Sequence, residues 1–171
     1  YKANRVYLLA VTETFGKYSQ DMIDKQRYYV EVVKNTLEKQ RITVVLKNAD
    51  MFDTLEVMKR ISNITVEEKA KGNRVFVNVS SAGRLTSVAA TLAAMAHRVK
   101  SYYVVADGYS EGEDERKKHG LSICNKMRLQ FMENIPLQLP GENEMKVLVK
   151  LCNEGKEMKT IDILEYLGSQ K

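Results

Sequence analysis

The sequence predicts an α/β fold, with a Rossmann-like, doubly wound, mostly parallel sheet followed by a short helical tail. Apolar runs of strand length alternate with amphipathic segments of helix length, which is the order of a parallel sheet covered by helices. Several runs are apolar nearly throughout, as strands buried on both faces are. With 171 residues, 44% of them hydrophobic, the chain can bury one core and carry a small appendage.

The first four elements follow from hydrophobic spacing. Arg5–Val11 is almost entirely apolar and predicts the first strand. Apolar residues at one-face spacing predict a helix over Asp21–Gln40, with Lys and Glu on its other face. A second strand is expected over Ile42–Lys47 and a second amphipathic helix over Phe52–Lys71, with an irregularity at Ser62–Thr65.

The next elements surround a short polar break. Val75–Val79 predicts a buried strand, and Leu85–Met95, rich in Ala and Leu, predicts a helix that continues to about Lys100. The run "SYYVVADGY", residues 101–109, predicts a further strand. The charged segment "SEGEDERKKHG", residues 110–120, predicts an exposed loop, and residues 121–140 add one or two edge strands.

Both prolines, Pro136 and Pro140, fall in one short stretch that predicts a boundary, with a first domain over residues 1–140 and a second over 141–171. The second segment predicts a helix, a turn at Asn153–Lys156 and another helix. It resembles the opening of a winged helix-turn-helix domain whose recognition helix and wing would follow, so we expect a truncated domain of that type. The alternative is a helical hairpin that packs on the first domain or on a partner subunit.

Composition narrows the function classes. The formal charge of +5, from 27 basic and 22 acidic residues, is a mild bias toward anionic partners such as nucleotides or nucleic acid. No signal peptide and no apolar run of about 18 residues is found, so we expect a cytoplasmic protein without a membrane partner. Cys124 and Cys152 form no C-x-x-C pair, and neither a Gly-x-Gly-x-x-Gly nor a P-loop motif occurs. We therefore expect no metal and no bound NAD or ATP cofactor.

Loops at the carboxyl ends of parallel strands form the ligand crevice of an open α/β sheet. Three loops leave such ends, at Thr12–Gly16, Ser80–Arg84 and Asp107–Tyr109, and they offer hydroxyls, bare backbone and one cation. These groups suit phosphates and base edges. The alternative for Ser80–Arg84 is a plain strand-to-helix turn with Ser as N-cap. The predicted ligand-binding residues are Thr12, Glu13, Thr14, Phe15, Asn78, Ser80, Ser81, Ala82, Gly83, Arg84, Asp107 and Gly108.

The segment "VFVNVSSAGRLTSVAATLAAM", residues 75–95, resembles the ligand-binding segment of the CARF domain, the Rossmann-like sensor associated with CRISPR systems. That family reads Asn-x-Thr-Gly-Gly followed by Thr or Lys and a helix. Here Ser80 stands where the family has Thr, and Ser81 and Ala82 keep the loop small. A winged helix after the sensor is the architecture of archaeal CARF transcriptional regulators. The departures from glycine add Cβ atoms that narrow the approach of a ligand to the backbone.

The resemblance implies a two-fold homodimer that binds a cyclic oligoadenylate across its symmetry axis. Each subunit would supply the Thr12–Phe15 and Ser80–Arg84 loops, and ligand binding would control DNA binding through the tail. Two alternatives remain open. A ring nuclease would cleave the ligand by in-line attack of a ribose 2′-hydroxyl, with Arg84 stabilising the transition state. A ligand-independent dimerisation module carrying a DNA-binding tail would tolerate any substitution between Ser80 and Arg84.

Overall fold

The computed structural model describes residues 3–11, 17–133, 135, 140–155 and 157–169. The chain divides into two compact units, Tyr1–Pro136 and Leu137–Lys171. The first unit is mixed α/β, as the sequence predicts, and the described part of the second is helical.

Strands and helices alternate through the first unit in the predicted order, with bounds that differ by a few residues. The helix after the second strand runs without interruption through residues 62–65, so the expected irregularity is wrong. The elements are β1 (Arg5–Ala10), α1 (Gln20–Lys39), β2 (Thr43–Asn48), α2 (Thr54–Ala70), β3 (Phe76–Asn78), α3 (Arg84–Ala96) and β4 (Lys100–Val105).

The strands pair in two parallel ladders. β1 lies beside β2, from Arg5 opposite Thr43 to Ala10 opposite Asn48. β3 lies beside β4, with Asn78 opposite Tyr102. Each ladder is closed by a crossover helix, α1 in the first and α3 in the second, so the carboxyl ends of both strands meet at one edge of each pair.

The chain after β4 departs from the prediction in two places. The predicted strand over residues 101–109 ends at Val105, and Gly108–Tyr109 is a separate strand, β5, antiparallel to β6 (Ser122–Ile123). The predicted exposed loop contains α4 (Glu113–His119), whose first turn holds three acidic residues that favour the positive end of the helix dipole. An edge strand is present as expected: β7 (Arg128–Phe131) pairs antiparallel with β4.

The core lies between the helices and the ladders. α3 turns four alanines inward, and α2, on which Val57 and Thr65 are buried, packs against it. Small side chains let the two helix backbones approach closely. The buried alanines are Ala89, Ala90, Ala93 and Ala94.

A buried carboxylate fixes the amino end of β1. Glu68, near the end of α2, accepts hydrogen bonds from Arg5 Nη1 at 2.8 Å and from the Tyr7 hydroxyl at 2.9 Å. Lys71 Nζ at 3.1 Å and Asn73 Nδ2 at 2.7 Å complete the set. The Lys71 and Tyr7 hydrogen bonds lower the pKa of Glu68 to about 2, against the opposing effect of its burial.

The second unit contains α5 (Glu142–Glu154) and α6 (Thr160–Gly168). Gly155 ends α5 in the left-handed conformation, at φ 63°, which an L side chain adopts only with strain. Lys150 pairs with Glu154 at 2.7 Å and lies 5.4 Å from the centre of the Tyr166 ring. Across the whole described chain, no helix has the length and apolar character needed to cross a membrane.

Candidate functional site

The turn after β3 is held to β4 by one hydroxyl. Ser80 Oγ donates to Asn78 Oδ1 at 2.5 Å and accepts from the Val104 N–H at 2.7 Å. The Ser80 N–H also donates to Asn78 Oδ1, at 2.9 Å. The Ser80 hydroxyl is therefore engaged in joining the ends of two parallel strands, and the half-buried side chain gives the turn a fixed shape.

The N-terminus of α3 has no side-chain cap. Its N-cap is Gly83, so the serine cap of the alternative interpretation is wrong. The first intrahelical bond runs from the Ser87 N–H to the Gly83 carbonyl at 2.8 Å, which leaves the amide groups of the first turn without intrahelical partners. Ser81 and Arg84 are exposed beside them, and within the described residues the Arg84 guanidinium has no ion pair. This edge combines bare N–H donors with a cation, which is the chemistry of an anion site.

The loop between β2 and α2 adjoins this helix start. Thr86, buried in the first turn of α3, donates from Oγ1 to the Met51 carbonyl at 2.5 Å. The neighbouring residue Asp50 is only 4% exposed, and its carboxylate accepts from the Phe52 N–H at 3.0 Å.

Asp50 also receives two side chains from the segment that enters α1. Lys17 Nζ lies 3.1 Å from Asp50 Oδ2, and the Tyr18 hydroxyl donates to Oδ1. Side-chain bonds thus connect the β1–α1 segment to the β2–α2 loop, that loop to α3, and the turn before α3 to β4. All these contacts lie at the carboxyl ends of the strands, where parallel sheets bind ligands.

The charge states at Asp50 are set by these contacts. The Tyr18 hydrogen bond, with Lys17 and the Phe52 N–H, lowers the pKa of Asp50 to about 2, although burial acts in the opposite direction. Burial and the Asp50 contact raise the pKa of Tyr18 to about 12. At neutral pH Asp50 is an anion whose oxygens are already bonded, and Tyr18 is a neutral donor. The pair braces the loops and offers no free acid or base.

In the third predicted loop, Asp107–Tyr109, the Asp107 carboxylate is also hydrogen-bonded within the protein. Asp107 accepts from the N–H groups of Asn125 at 2.7 Å and Lys126 at 2.8 Å, and pairs with Arg128 at 3.3 Å. The backbone N–H of Lys126 is the first cause of its lowered pKa. Gly108 lies in β5, opposite Ile123. Asp107 therefore orders the chain before β7, three residues along from the Val104 amide that binds Ser80.

Four predicted residues, Thr12, Glu13, Thr14 and Phe15, lie outside the described residues. Conversely, sequence reasoning missed Asp50, Lys17 and Tyr18. The signal for Asp50 was present, because it follows the apolar run of β2 almost directly and the carboxyl-end rule applies to every parallel strand. Lys17 and Tyr18 carry no local signal, since their partner is more than thirty residues away in sequence.

An open cavity of about 320 Å³ lies against this loop, lined by Lys17, Tyr18, Phe52, Asp53 and Leu55 among others. Within the part of the chain that the structure describes, no group of three His, Cys, Asp or Glu side chains could hold a metal ion. The described arrangement offers cations, amide donors and an aromatic surface.

Comparison with known proteins shows the family of the chain. None of the curated proteins is similar to the sequence. The family model described as "HFX_2341_N:-like, N-terminal" matches residues 1–109, which is well over half of the 171 residues. The matched region runs through β5 and includes the loops after β1, β2 and β3 as well as the start of α3. The chain therefore belongs to the family described as "HFX_2341_N:-like, N-terminal".

Proposed function

We propose that the chain is the ligand-sensing part of a transcriptional regulator, with a CARF-like, Rossmann-like domain that binds a cyclic oligoadenylate. One observation carries the proposal. The loops at the carboxyl ends of the strands are linked by the Tyr18–Asp50, Thr86–Met51 and Ser80–Val104 bonds around an uncapped helix N-terminus. A crevice at that edge of a parallel sheet is where such folds bind nucleotides.

The proposed fold extends the two parallel ladders into one doubly wound sheet. In support, β1–α1–β2 and β3–α3–β4 are both crossovers between parallel neighbours, and α2 runs between them. The reversal of strand order would fall between β1 and β3, next to the Thr86–Met51 contact.

The proposed phosphate contact is the first turn of α3. The N-terminal amides and the exposed Arg84 attract an anion through the helix dipole, hydrogen bonds and direct charge. The Ser81 hydroxyl is exposed beside them, and Ser80, already bonded to Val104, acts by shaping the turn.

The proposed partner across the symmetry axis is a second copy of the chain. α3 is apolar on both faces, and its outer stripe remains uncovered, with Leu85 and Val88 each 57% and Leu92 38% exposed. Because α3 begins at the proposed phosphate contact, a dimer formed along this stripe brings two such turns toward one ligand.

The second unit supports the DNA-binding half of the proposal. α5 and α6 form a helix–turn–helix pair, with Gly155 at the turn, as at the start of a winged helix domain. In this proposal, ligand binding shifts the dimer arrangement and thereby the spacing of the attached DNA-binding elements.

Calorimetric titration of cyclic tri-, tetra- and hexa-adenylate, followed by chromatography for linear products, tests this function. We expect saturable binding of one ring at one ligand per dimer, without cleavage. Arg84→Ala should weaken binding about tenfold or more, because it removes the cation beside the phosphate. Arg60→Ala, which removes an exposed arginine from α2, is the charge-matched control.

Other results of these titrations would support one of the two alternative functions. Linear products that disappear in Arg84→Ala would make the protein a ring nuclease. Absence of binding to all three rings would contradict the oligoadenylate ligand and favour a ligand-independent dimerisation module.

A further inference from the structure

The cavity beside Asp50 has an aromatic wall. The Phe52 ring is 60% exposed and lies 5.6 Å from the ring of Tyr18, centre to centre, at an angle of 33°. Leu55, the second residue of α2, is 66% exposed on the same cavity. Large apolar side chains exposed around a concave surface form a place where a planar ring can stack.

One buried carboxylate positions the two aromatic residues of the wall. Asp50 accepts from the Tyr18 hydroxyl, which orients that ring, and from the backbone N–H of Phe52, which orders the chain that carries the second ring. Thr86 holds the Met51 carbonyl, one residue before Phe52. A stacking surface that is ordered before the ligand arrives loses little side-chain entropy on binding.

One polar group on the wall, the Asp53 carboxylate, is an acceptor. Asp53 caps α2 with Oδ1, which receives the N–H groups of Leu55 and Glu56, each at 3.0 Å. Within the described part of the chain its second oxygen, Oδ2, has no hydrogen-bond donor. A carboxylate oxygen beside a stacking ring favours a base that presents N–H donors and repels one that presents a carbonyl oxygen.

The cavity volume sets the size of the occupant. About 320 Å³ is at the lower end of the roughly 300–1,000 Å³ range for small-ligand sites, which suits one base rather than a dinucleotide. Lys17, whose side chain is 66% exposed and whose Nζ pairs with Asp50 at 3.1 Å, lines the same cavity.

We propose that this cavity is a subsite for one amino-bearing nucleobase, which stacks on Phe52 and donates its exocyclic amine to Asp53 Oδ2. The assignment rests on the proposed function, since it gives the base of the cyclic ligand a place one short loop away from the phosphate contact at α3. It adds the β2–α2 loop to the ligand site and gives the site a preference for adenine over hypoxanthine.

Two titrations test the subsite. In the first, cyclic tetra-adenylate is titrated calorimetrically into the wild type, Phe52→Leu and Phe52→Tyr. Because each protomer of the proposed dimer carries one subsite, Phe52→Leu removes two stacking contacts and should weaken binding by more than about tenfold, whereas Phe52→Tyr keeps the rings and should stay within about threefold. Phe52 is exposed, so both variants should fold, which thermal melting checks.

In the second titration, adenosine and inosine 5′-monophosphates are compared by ligand-observed NMR. The wild type should bind the adenosine nucleotide more tightly. Asp53→Asn should lose this preference while keeping the helix, because Asn also serves as an N-cap but turns an amide N–H₂ toward the base.

The outcomes separate the subsite from the proposed function. Equal binding of cyclic tetra-adenylate by Phe52→Leu and the wild type would overturn the subsite and leave the sensor intact. Absence of cyclic ligand binding, together with a preference for the adenosine nucleotide that Asp53→Asn removes, would support the subsite and overturn the sensor. Absence of both would overturn both.

Discussion

Thr86 Oγ1 donates a 2.5 Å hydrogen bond to the carbonyl oxygen of Met51, thirty-five residues earlier in the chain. The contact joins the first turn of α3 to the loop between β2 and α2, and so brings the proposed phosphate contact and the proposed base subsite to one edge. Thr86 is 6% exposed, so water does not replace a lost partner there.

Thr86→Val should lower the free energy of unfolding by about 1–2 kcal/mol, because the isosteric side chain leaves the Met51 carbonyl without its donor. Thr91→Val is the matched control on the same helix, since Thr91 Oγ1 bonds only the Ser87 carbonyl one turn back. We expect the control to change stability by less than about 0.5 kcal/mol. Urea unfolding of both variants measures the difference, and equal losses would contradict a role for the inter-loop contact.

Ser80→Ala should cost about 1–2 kcal/mol, because the Val104 N–H loses its acceptor at the end of β4. The neighbouring Ser81 is exposed, so Ser81→Ala should remain within about 0.5 kcal/mol of the wild type. Chemical denaturation compares the pair. A larger loss in Ser81→Ala would mean that the turn is held differently.

Gly83→Asp should stabilise the fold and weaken ligand binding. The new carboxylate caps α3 and complements its dipole, which is worth about 0.5–1 kcal/mol, yet it occupies the position proposed for a ligand phosphate. The site has room, since a Cβ on Gly83 would meet only Thr86 Oγ1, at 3.8 Å. Gly112→Asp adds the same charge at the uncapped start of α4 and should leave ligand affinity unchanged. Equal affinities of the two variants in calorimetry would exclude α3 as the anion site.

Acid should destabilise the first unit through its two buried carboxylates. Asp50 and Glu68 have pKa values of about 2 in the folded state, below the ordinary values of 3.8 and 4.5. Between those limits the unfolded chain binds more protons, so the free energy of unfolding falls as the pH falls from about 4.5 toward 2. Unfolding curves at pH 6, 4 and 3 measure the slope. Asp50→Asn and Glu68→Gln should each be less stable than the wild type at pH 6 and show a shallower slope, and an unchanged slope in both would contradict the assignment.

Val88→Glu should shift the protein from dimer to monomer, because it places a charge at the centre of the uncovered stripe of α3. Val66→Glu is the control, since Val66 is 55% exposed on α2 and lies outside the stripe. Sedimentation velocity reads the oligomeric state directly. A wild type that is monomeric at all concentrations would contradict the proposed dimer.

The sequence predicted those features that depend on local pattern. The order of strands and helices through β4 follows from hydrophobic spacing, and the break before Arg84 does begin a helix. The sequence predicted an exposed loop in place of α4, because a highly charged segment is typical of solvent-exposed loops. The acidic first turn nevertheless stabilises a helix there.

The tertiary contacts of the candidate site could not be predicted from local sequence pattern. The role of Asp50 depends on its bonds to Tyr18 and Lys17, which lie more than thirty residues away in sequence and become neighbours only in the folded chain. In the same way, nothing near Ser80 in sequence indicates that its hydroxyl binds the Val104 amide on another strand. In sequence, a hydroxyl in a turn of small residues is equally consistent with a ligand contact and with a structural hydrogen bond. The distinction depends here on Val104, twenty-four positions away.

The four donors gathered on Glu68 have a consequence for how the domain fluctuates. They fix the amino end of β1 to the end of α2. At the opposite edge the Tyr18–Asp50, Thr86–Met51 and Ser80–Val104 hydrogen bonds each join one loop to another element. Amide hydrogen exchange should therefore be slower near Tyr7 than in the turns over residues 49–53 and 80–83. The proposed ligand would bridge these turns, so its binding should slow their exchange more than it slows exchange in β1.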